Sequence, residues 1–499
     1  MKIGIDFGTS FSLPAGMING APATLLPSGE YGIPSVFYYD EDLGVQIGKV
    51  AENYGDLRSD NVKRDIKMEI KTHDDSFVVG GKAFSKKQII GHIFKEIARI
   101  SCRECETRAL SSQSIDGVVV SVPAEFEDRE KRYIKESVEA LESNGGAALK
   151  VLRLIPEPVA AAIAYFSAPA VEDEKTILVY DLGGGTCDTA IVRANRKSDY
   201  WYDVLGVGME RIGGRDWDRV LINMIKRKYQ EKSGNISFDA ETENSIRKQA
   251  IETKHILSEC ATAIASVNIR GKTHSCYISI EEFEKASSEI LQSTMKLVRK
   301  MVEKCITKGK IDDLDDIDYI VCVGGSSNMP QVKKAFEKAY PKIPIKTYQP
   351  AAAIAFGAAI YAEHLTEAQY LRDICKFSYG IEVLDQWHRY YDENRTKISN
   401  LIKQGSQLPI SAKITTVPIK DNQTSTRINI FESECTDDYY LPERGTEIGH
   451  VQIFDLVDHT TQDETLTTMK IDQSGLLHVE ALDKKTGKKE EIEIQIKTF

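Results

Sequence analysis

The sequence predicts an α/β region over residues 1–365, containing a duplicated fold, followed by an all-β region over 377–499. Three observations lead there. An apolar strand that runs into an Asp and a Gly/Thr turn, and then into a second strand, occurs twice. A third apolar strand opens into a Gly-Gly junction before a helix. Finally, long helical patterns alternate with strands up to about Leu365, the pattern of α/β architecture, whereas short strands separated by turns dominate after about Phe377.

The first copy runs from 3–5 into Asp6-Phe7-Gly8-Thr9-Ser10. The second runs from 177–180 into Asp181-Leu182-Gly183-Gly184-Gly185-Thr186-Cys187-Asp188, with another apolar run through Ile191 and Val192. A Gly-rich turn exposes successive backbone N–H groups to phosphate oxygens, with no Cβ to keep them away. The Asp beside each turn can hold a hydrated Mg²⁺ against the same phosphates. One such turn reads equally as an ordinary hairpin. Two with the same polarity predict a duplicated fold that grips one nucleotide from both sides. The third element, 318–323, opens into Gly324-Gly325-Ser326-Ser327-Asn328-Met329-Pro330, and helical spacing follows from Val332 with the proline near the helix start. Alone it is a common strand-to-helix connector. Beside the other two it offers bare backbone to a phosphate or a flat ring.

The 499 residues predict two to four domains with a large core. A net charge of −11 argues against a dedicated nucleic-acid binder. No apolar run approaches the roughly 20 residues that span a bilayer, so no membrane association is expected. No signal peptide is expected before the first strand, and nine scattered cysteines suit reduced thiols in a cytoplasmic protein. Cys102 and Cys105 form a lone C-x-x-C in a charged helical stretch, without the second ligand pair a metal site would need. The acidic run 312–316 is read as a solvated loop. In the β-rich region, 428–431, 451–456, 466–471, 476–482 and 492–496 are the predicted strands, with 472–475 and 484–488 as turns. The join, 366–376, is short and mostly polar.

At this point the motifs, taken in order, resemble the seventy-kilodalton heat-shock (DnaK-type) chaperones across nearly the whole chain. Besides the three loops, Val118-Val119-Val120-Ser121-Val122-Pro123-Ala124 resembles the family's strand with a Val-Pro-Ala turn. Leu154-Ile155-Pro156-Glu157-Pro158 resembles its Glu-Pro helix start, and Gly213-Gly214-Arg215-Asp216-Trp217-Asp218 its Gly-Gly-x-Asp-Phe-Asp segment. Gly475-Leu476-Leu477-His478-Val479 resembles the end of its substrate domain. The resemblance implies an actin-like two-lobed ATPase domain (a duplicated ribonuclease-H-like fold), a linker over 366–376 and a β-sandwich peptide-binding domain. It also implies ATP/ADP and Mg²⁺ as ligands, with K⁺ as a further candidate ion.

Phosphoryl transfer to water needs a metal, a phosphate cradle and a positioned nucleophile. Thr9 and Ser10, with backbone around Gly8, match the first phosphate loop; Gly183, Gly184, Gly185 and Thr186 match the second. Asp6, Asp181 and Asp188 are the acids that would order Mg²⁺ and its waters, although a single strand-end Asp is ordinarily a turn cap. Pro158 suits the first helical position, which leaves Glu157 at or near an N-cap that favours Ser, Thr, Asp or Asn. A carboxylate there points to water or metal, and the resemblance assigns it to water activation and interdomain signalling. By the same resemblance Lys67 is the catalytic lysine, with Lys63 and Lys71 as competitors and a solvated helix lysine as the plain alternative. Thr186 joins the catalytic set, and Pro123 and Arg153 match residues that couple nucleotide state to the substrate domain.

Departures from the family pattern fall at the base, the linker and the substrate domain. The adenosine side reads Ile251, Lys254, His255 and Ser258; the third loop supplies Gly324, Gly325, Ser326 and Asn328, with Asn328 where an Arg usually lies along the base, and Gln349-Pro350-Ala351 replaces Asn-Pro-Asp. An Arg plane on adenine is worth about 1–2 kcal/mol, so weaker nucleotide affinity is expected. In the linker, Arg372 interrupts an aliphatic stretch and would resist burial. In the sandwich, Ile398 and Leu401 fit the first cleft strand, Thr426 takes the central-pocket position with Ile428 beyond it, and Ile419 takes an arch position. No helical lid follows, so peptides should leave quickly. The sequence therefore reads as an ATP-hydrolysing chaperone-like protein for unfolded or extended peptides, with J-domain and nucleotide-exchange co-chaperones as implied partners. The alternative is a nucleotide-dependent regulator or scaffold for one partner, with slow turnover. A sugar or acetate kinase on the same duplicated fold is disfavoured by the β-rich region.

Overall fold

The computed structural model describes residues 1–499 except 71, 73–74, 111–113, 125, 127, 141–148, 169–173, 196–200, 234–237, 270–271, 366–370, 373, 385–395, 473–474 and 497–499. The chain forms two compact units, Met1–Arg196 with Gly206–Glu367, and Lys197–Leu205 with Ala368–Phe499.

The first unit holds two large sheets of the same design. In one, strand Lys2–Phe7 pairs antiparallel with Phe11–Ile18, which pairs with Ala21–Thr24; on its other side it runs parallel to Gly117–Val122, which runs parallel to Val151–Pro156. In the other, Glu174–Leu182 pairs antiparallel with Cys187–Asn195, which neighbours Tyr202–Glu210; on its other side it runs parallel to Tyr319–Val323 and then Ile345–Thr347. Apart from a sixth two-residue strand in each, Ile33–Pro34 beside Phe11–Ile18 and Leu371–Arg372 beside Tyr202–Glu210, both sheets read 3-2-1-4-5 when numbered by appearance. The doubled turn motif therefore marks a doubled sheet, each turn joining the first strand of its sheet to the second. Strand Gly117–Val122 is buried at every residue, as expected of a parallel strand covered on both faces.

Helices Glu157–Phe166 and Ala353–Glu363 cross at close range through small residues. A Cβ on Gly357 would collide with the backbone of Ala160, and one on Gly4 with the backbone of Ala355, Ala358 and Ala359. Both helices are almost wholly buried. This crossing fixes the start of helix Glu157–Phe166, and with it Glu157, against the strands that carry the acids.

The second unit is a sandwich. A five-stranded sheet runs in the order Tyr439–Tyr440, Thr396–Ile402, Ser378–Leu384, Thr426–Ser433, Thr446–Ile453. A four-stranded sheet runs Ile410–Thr416, Thr465–Ile471, Leu476–Asp483, Lys489–Gln495. Tyr379, Ile381, Ile430, Met469, Leu477 and Val479 are fully buried in the core that the two sheets share. The unit also includes a parallel pairing of Leu371 with Tyr202 and Arg372 with Asp203. Part of the polar join is thus a strand, although the Arg372 side chain lies outside the described residues, as do 366–370.

Four expectations need correction. The strand expected at 451–456 is Thr446–Ile453, because Asp455 adopts a left-handed backbone (φ 53°) and Lys488 Nζ holds the carbonyls of Phe454 and Asp455 at 3.0 and 2.9 Å. The strand expected at 492–496 is Lys489–Gln495. Pro158, expected at the first helical position, is the second: Pro156 is the N-cap and Glu157, near it as expected, is the first helical residue, so the carboxylate sits in the first turn, where the helix dipole favours negative charge. The acidic run carries a 3₁₀ turn, Leu314–Asp316, capped by the Asp313 carboxylate, which accepts from Asp315 N at 2.7 Å. Among the described residues no helix is long and apolar enough to cross a membrane.

Candidate active site

The two Gly turns of the first unit face each other. A Cβ on Gly184 would lie 2.6 Å from Ser10 Oγ, and one on Gly185 would lie 3.0 Å from Thr9 Oγ1. Gly183 N donates to Thr186 O at 3.0 Å, closing the second turn, while Gly183 O and Gly184 O accept from Gly214 N and Arg215 N at 2.9 and 3.0 Å. The carbonyls are thereby occupied and the N–H groups of Gly184 and Gly185 donate to no acceptor among the described residues, an arrangement suited to an anion. The first turn is braced differently: Ser35 Oγ donates to Gly8 O at 2.9 Å and Ser35 N to Ser10 O at 2.8 Å.

The third loop closes on the second sheet. Gly324 has φ +81°, and a Cβ there would lie 2.5 Å from Asp181 Oδ1. Only glycine serves both demands. Ser327 Oγ donates to Gly324 O at 2.7 Å, and Ser326 abuts Gly214 closely enough that a Cβ on Gly214 would strike its hydroxyl. Lys254, from helix Ala240–Glu259, reaches the same corner, donating to Gly214 O at 3.1 Å and pairing with Asp218 at 2.7 Å. Ser258 spends its hydroxyl on Lys254 O, one turn back along its own helix (3.0 Å), and His255, Gly325 and Asn328 are exposed. The expected base-side residues thus divide: Lys254 and Ser326 are drawn in beside the glycines, whereas His255 and Asn328 stay outside.

Between the two turns lie four buried ionisable groups, Lys67, Glu157, Asp181 and Asp188, and the half-buried Asp6. Lys67 is 3% exposed and Glu157 4%, and the two form an ion pair. Lys67 stands on a short 3₁₀ helix, Ile66–Glu69, so it is not a solvated helix lysine; its competitor Lys63 pairs instead with Glu69 at 3.1 Å, and Lys71 lies outside the described residues. Burial alone would lower the Lys67 pKa, but Glu157 and Asp6 hold it above its ordinary value. Asp181 and Asp188 are direct cross-strand partners. Asp6 accepts from Ser121 Oγ at 3.0 Å and Asp188 Oδ1 from Ala124 N at 2.8 Å. Burial, reinforced by the Glu157 charge, pushes Asp6 up to about 7 and Asp188 up to about 8, with Lys67 opposing both. Asp181 is raised well above the carboxylate range by burial and then by Glu157, Asp188 and Asp6.

Four carboxylates face one ammonium, and Asp181 Oδ1 and Asp188 Oδ2 are buried with no hydrogen-bond partner among the described residues. Such groups are costly unless a cation compensates them. Among the described residues no three His, Cys, Asp or Glu side chains close on one point as direct ligands. The acids therefore suit a cation held through its own water shell, the habit of Mg²⁺. Lys67, Pro123 and Thr186 also line a cavity of about 10 Å³ with Met68, Phe126, Met209 and Arg211, room for a single water. Arg153, on strand Val151–Pro156, is half-buried.

Several members of the site carried no separate assignment from sequence. Asp218 sits in the Gly-Gly-x-Asp-x-Asp segment that marked the resemblance. Ser121 and the Ala124 N–H fix Asp6 and Asp188, and an Asp65–Arg215 ion pair crosses beside Gly185 with Asp65 in a left-handed conformation.

The residues expected to bind peptide are spread through the sandwich. Ile398 is fully buried in a small cluster with Phe431, Cys435 and Tyr440, while Ile428 is buried in the main core with Leu401 packed against it. Thr426 is half-buried and Ile419 is 60% exposed.

A family model described as Hsp70 protein matches residues 2–498, essentially the whole chain.

Proposed function

Because the chain belongs to the Hsp70 family, we propose that it is an ATP-hydrolysing, chaperone-like protein that binds extended peptide segments under the control of its nucleotide. In this reading the two 3-2-1-4-5 sheets are the halves of an actin-like, duplicated ribonuclease-H-like ATPase domain over 1–365, and 366–376 links it to a peptide-binding sandwich over 377–499. The observation that carries the proposal is the buried Lys67–Glu157 pair among three further acids, set between two facing Gly turns.

Each residue then has a task. Backbone N–H groups of Gly184 and Gly185, with the Thr9 and Ser10 hydroxyls, bind phosphate oxygens. Asp6, Asp181 and Asp188 hold the waters of a Mg²⁺ ion, which neutralises phosphate charge when bound. Lys67 presents positive charge toward the terminal phosphate. Glu157, fixed in a helical first turn and paired with Lys67, orients the attacking water and accepts its proton, with the Thr186 hydroxyl nearby. Gly324, Ser326 and Lys254 form the nucleoside side. Pro123 and Arg153 pass the state of the site to the sandwich, and J-domain and nucleotide-exchange proteins are the partners expected to drive the cycle.

Single-turnover ATP cleavage by the full chain tests the assignment. Glu157→Ala and Asp188→Asn should each slow cleavage at least about tenfold, the low end for losing a positioned acid–base group. Nucleotide binding should survive the Glu157 change. Unchanged rates in both variants would remove these residues from the mechanism.

One observation favours a second reading, a nucleotide-dependent regulator of one dedicated partner: Ile398 and Ile428, two of the residues expected to meet peptide, are buried in packing clusters. Peptide-array binding with and without ATP separates the two. Broad capture of apolar peptides supports the chaperone, and a single partner in a pull-down supports the regulator.

A further inference from the structure

Away from the Gly turns, the first unit carries a groove of about 460 Å³ between the end of strand Tyr202–Glu210 and helix Ser288–Thr307. That is the size of an ordinary ligand site. Its floor is apolar: Val207 and Met301 are buried, and Met209, Leu297 and Ile212 are half-buried. One wall is a row of exposed lysines, Lys296, Lys300 and Lys304, and among the described residues the only acid lining the groove is Glu210.

In a chain of net charge −11, Lys226, Lys228 and Lys334 of this unit meet Glu243, Glu282 and Glu284, while exposed lysines such as Lys95 and Lys338 pair with no acid among the described residues. What sets this row apart is that its three lysines line one groove. Lys296, Lys300 and Lys304 have no ion pair among the described residues. Like charges four residues apart destabilise a helix. The helix dipole offsets this near the C-terminus, for Lys304, but not for Lys296, which stands in the middle of the helix. A repulsive row beside an adaptable methionine-lined floor is the complement of an anionic, partly apolar ligand.

We propose that this groove docks an extended acidic segment of a partner protein, with carboxylates at alternate residues and apolar side chains between them. The spacing selects that shape. Lysines four apart on a helix stand about 6 Å from one another. Alternate residues of an extended strand repeat every 6.7 Å or so, and the intervening side chains point the other way, onto the floor. The proposal is independent of nucleotide hydrolysis.

Fluorescence anisotropy tests it, using the full chain and a labelled, end-capped peptide of alternating glutamate and valine, (Glu-Val)4, beside its (Gln-Val)4 counterpart. We expect the glutamate peptide to bind, the glutamine peptide to fail as a competitor, and added salt to weaken binding. The triple variant Lys296→Ala, Lys300→Ala, Lys304→Ala should lose at least about tenfold in affinity at unchanged melting temperature and ATP cleavage. Glu210→Lys should instead tighten binding several-fold, an outcome no loss of folding can imitate. Equal affinity of wild type and triple variant would overturn the proposal. So would tighter binding of a single-stranded RNA that the triple variant loses, which would make the groove a polyanion site.

Discussion

Asp188, between the two Gly turns, and Asp483, at the end of a sandwich strand, are both fully buried, yet they are held in opposite states. Asp188 has one backbone N–H at 2.8 Å and an unpartnered second oxygen, and burial with the Glu157 charge pushes it up to about 8. Burial would raise Asp483 as well, but Thr486 and His459 reverse it and hold the acid below its ordinary value. His459 Nε2 donates to Oδ1 at 2.8 Å, while Thr486 N and Oγ1 donate to Oδ2 at 2.8 and 2.5 Å. Both are closed to solvent, but Asp188 lies far deeper, and the two also differ in how far the protein completes the acid's hydrogen bonds. An acid whose bonds are completed by its own chain serves structure; an incomplete one suits a cation.

The sharpest way to break this contrast is to remove each acid. Asp483→Ala strands the His459 and Thr486 donors in the sandwich core and should destabilise that unit by about 3 kcal/mol, the scale for breaking a buried charged pair. Asp181→Asn is the converse. It removes a group whose ionised form burial and the neighbouring acids disfavour, so the first unit should melt unchanged or be more stable by about 1 kcal/mol, while losing Mg²⁺-dependent nucleotide binding. Differential scanning calorimetry of the full chain, with each transition assigned by limited proteolysis, measures both. Equal destabilisation by the two substitutions would show that the cleft acids are structural after all.

A smaller effect concerns pH, and its sign differs between the units. Asp6 and Asp188 have pKa values raised from 3.8 to about 7 and about 8. Their contribution is fully present below about pH 4 and is lost as pH rises toward 8, because the folded state binds more protons than the unfolded one. Asp483 is depressed, and Asp463 is held at about 2 by the Thr460 backbone N–H and by Lys485. Their contribution is present above about pH 4 and disappears as pH falls toward 2. Scans from pH 3 to 8.5 should therefore show the sandwich transition weakening on the acid side and the first unit weakening on the alkaline side. Saturating Mg²⁺ and ATP should flatten only the alkaline loss. Parallel slopes in both units would refute the distinction.

The sequence exposes this division unevenly, for physical reasons. Asp6, Asp181 and Asp188 announce themselves because an acid at a strand end beside a Gly turn is a local pattern, and its repetition implies the paired sheets. Glu157 is legible only through the resemblance of its Pro-Glu-Pro helix start to the family's, since a carboxylate in a helical first turn is ordinary. The groups that finish or fail to finish each acid are not local: Ser121 reaches Asp6, Ala124 reaches Asp188, and His459 reaches Asp483, across 115, 64 and 24 residues. Strand Ile410–Thr416 escaped notice since alternate residues are exposed at a sheet edge, and Ser378–Leu384 because Gly380 interrupts its apolar run. The burial of Ile398 and Ile428 was equally invisible, because an apolar strand residue reads the same whether it faces a ligand or a core.

The contrast between finished and unfinished groups extends to the two ends of the proposed nucleotide site, where the smallest effect is expected. The phosphate end is rigid: glycines in backbone contact, buried acids, and Lys67 fixed by Glu157. At the base end, Asn328 and His255 are exposed, Ser258 is bonded to its own helix, and Lys254 is committed to Asp218. Discrimination between bases needs buried polar groups that the wrong base would leave unpaired, and none of these four supplies one. Affinity should therefore come mainly from the phosphates. Isothermal titration should give ATP and GTP dissociation constants within about fivefold, about 1 kcal/mol, and Asn328→Ala should change neither by more than that. Asn328→Arg should tighten both nucleotides modestly by stacking a cation on the base. Strong rejection of GTP by the wild-type chain would mean that other residues complete the base end on binding, and that the two ends are less different than they look.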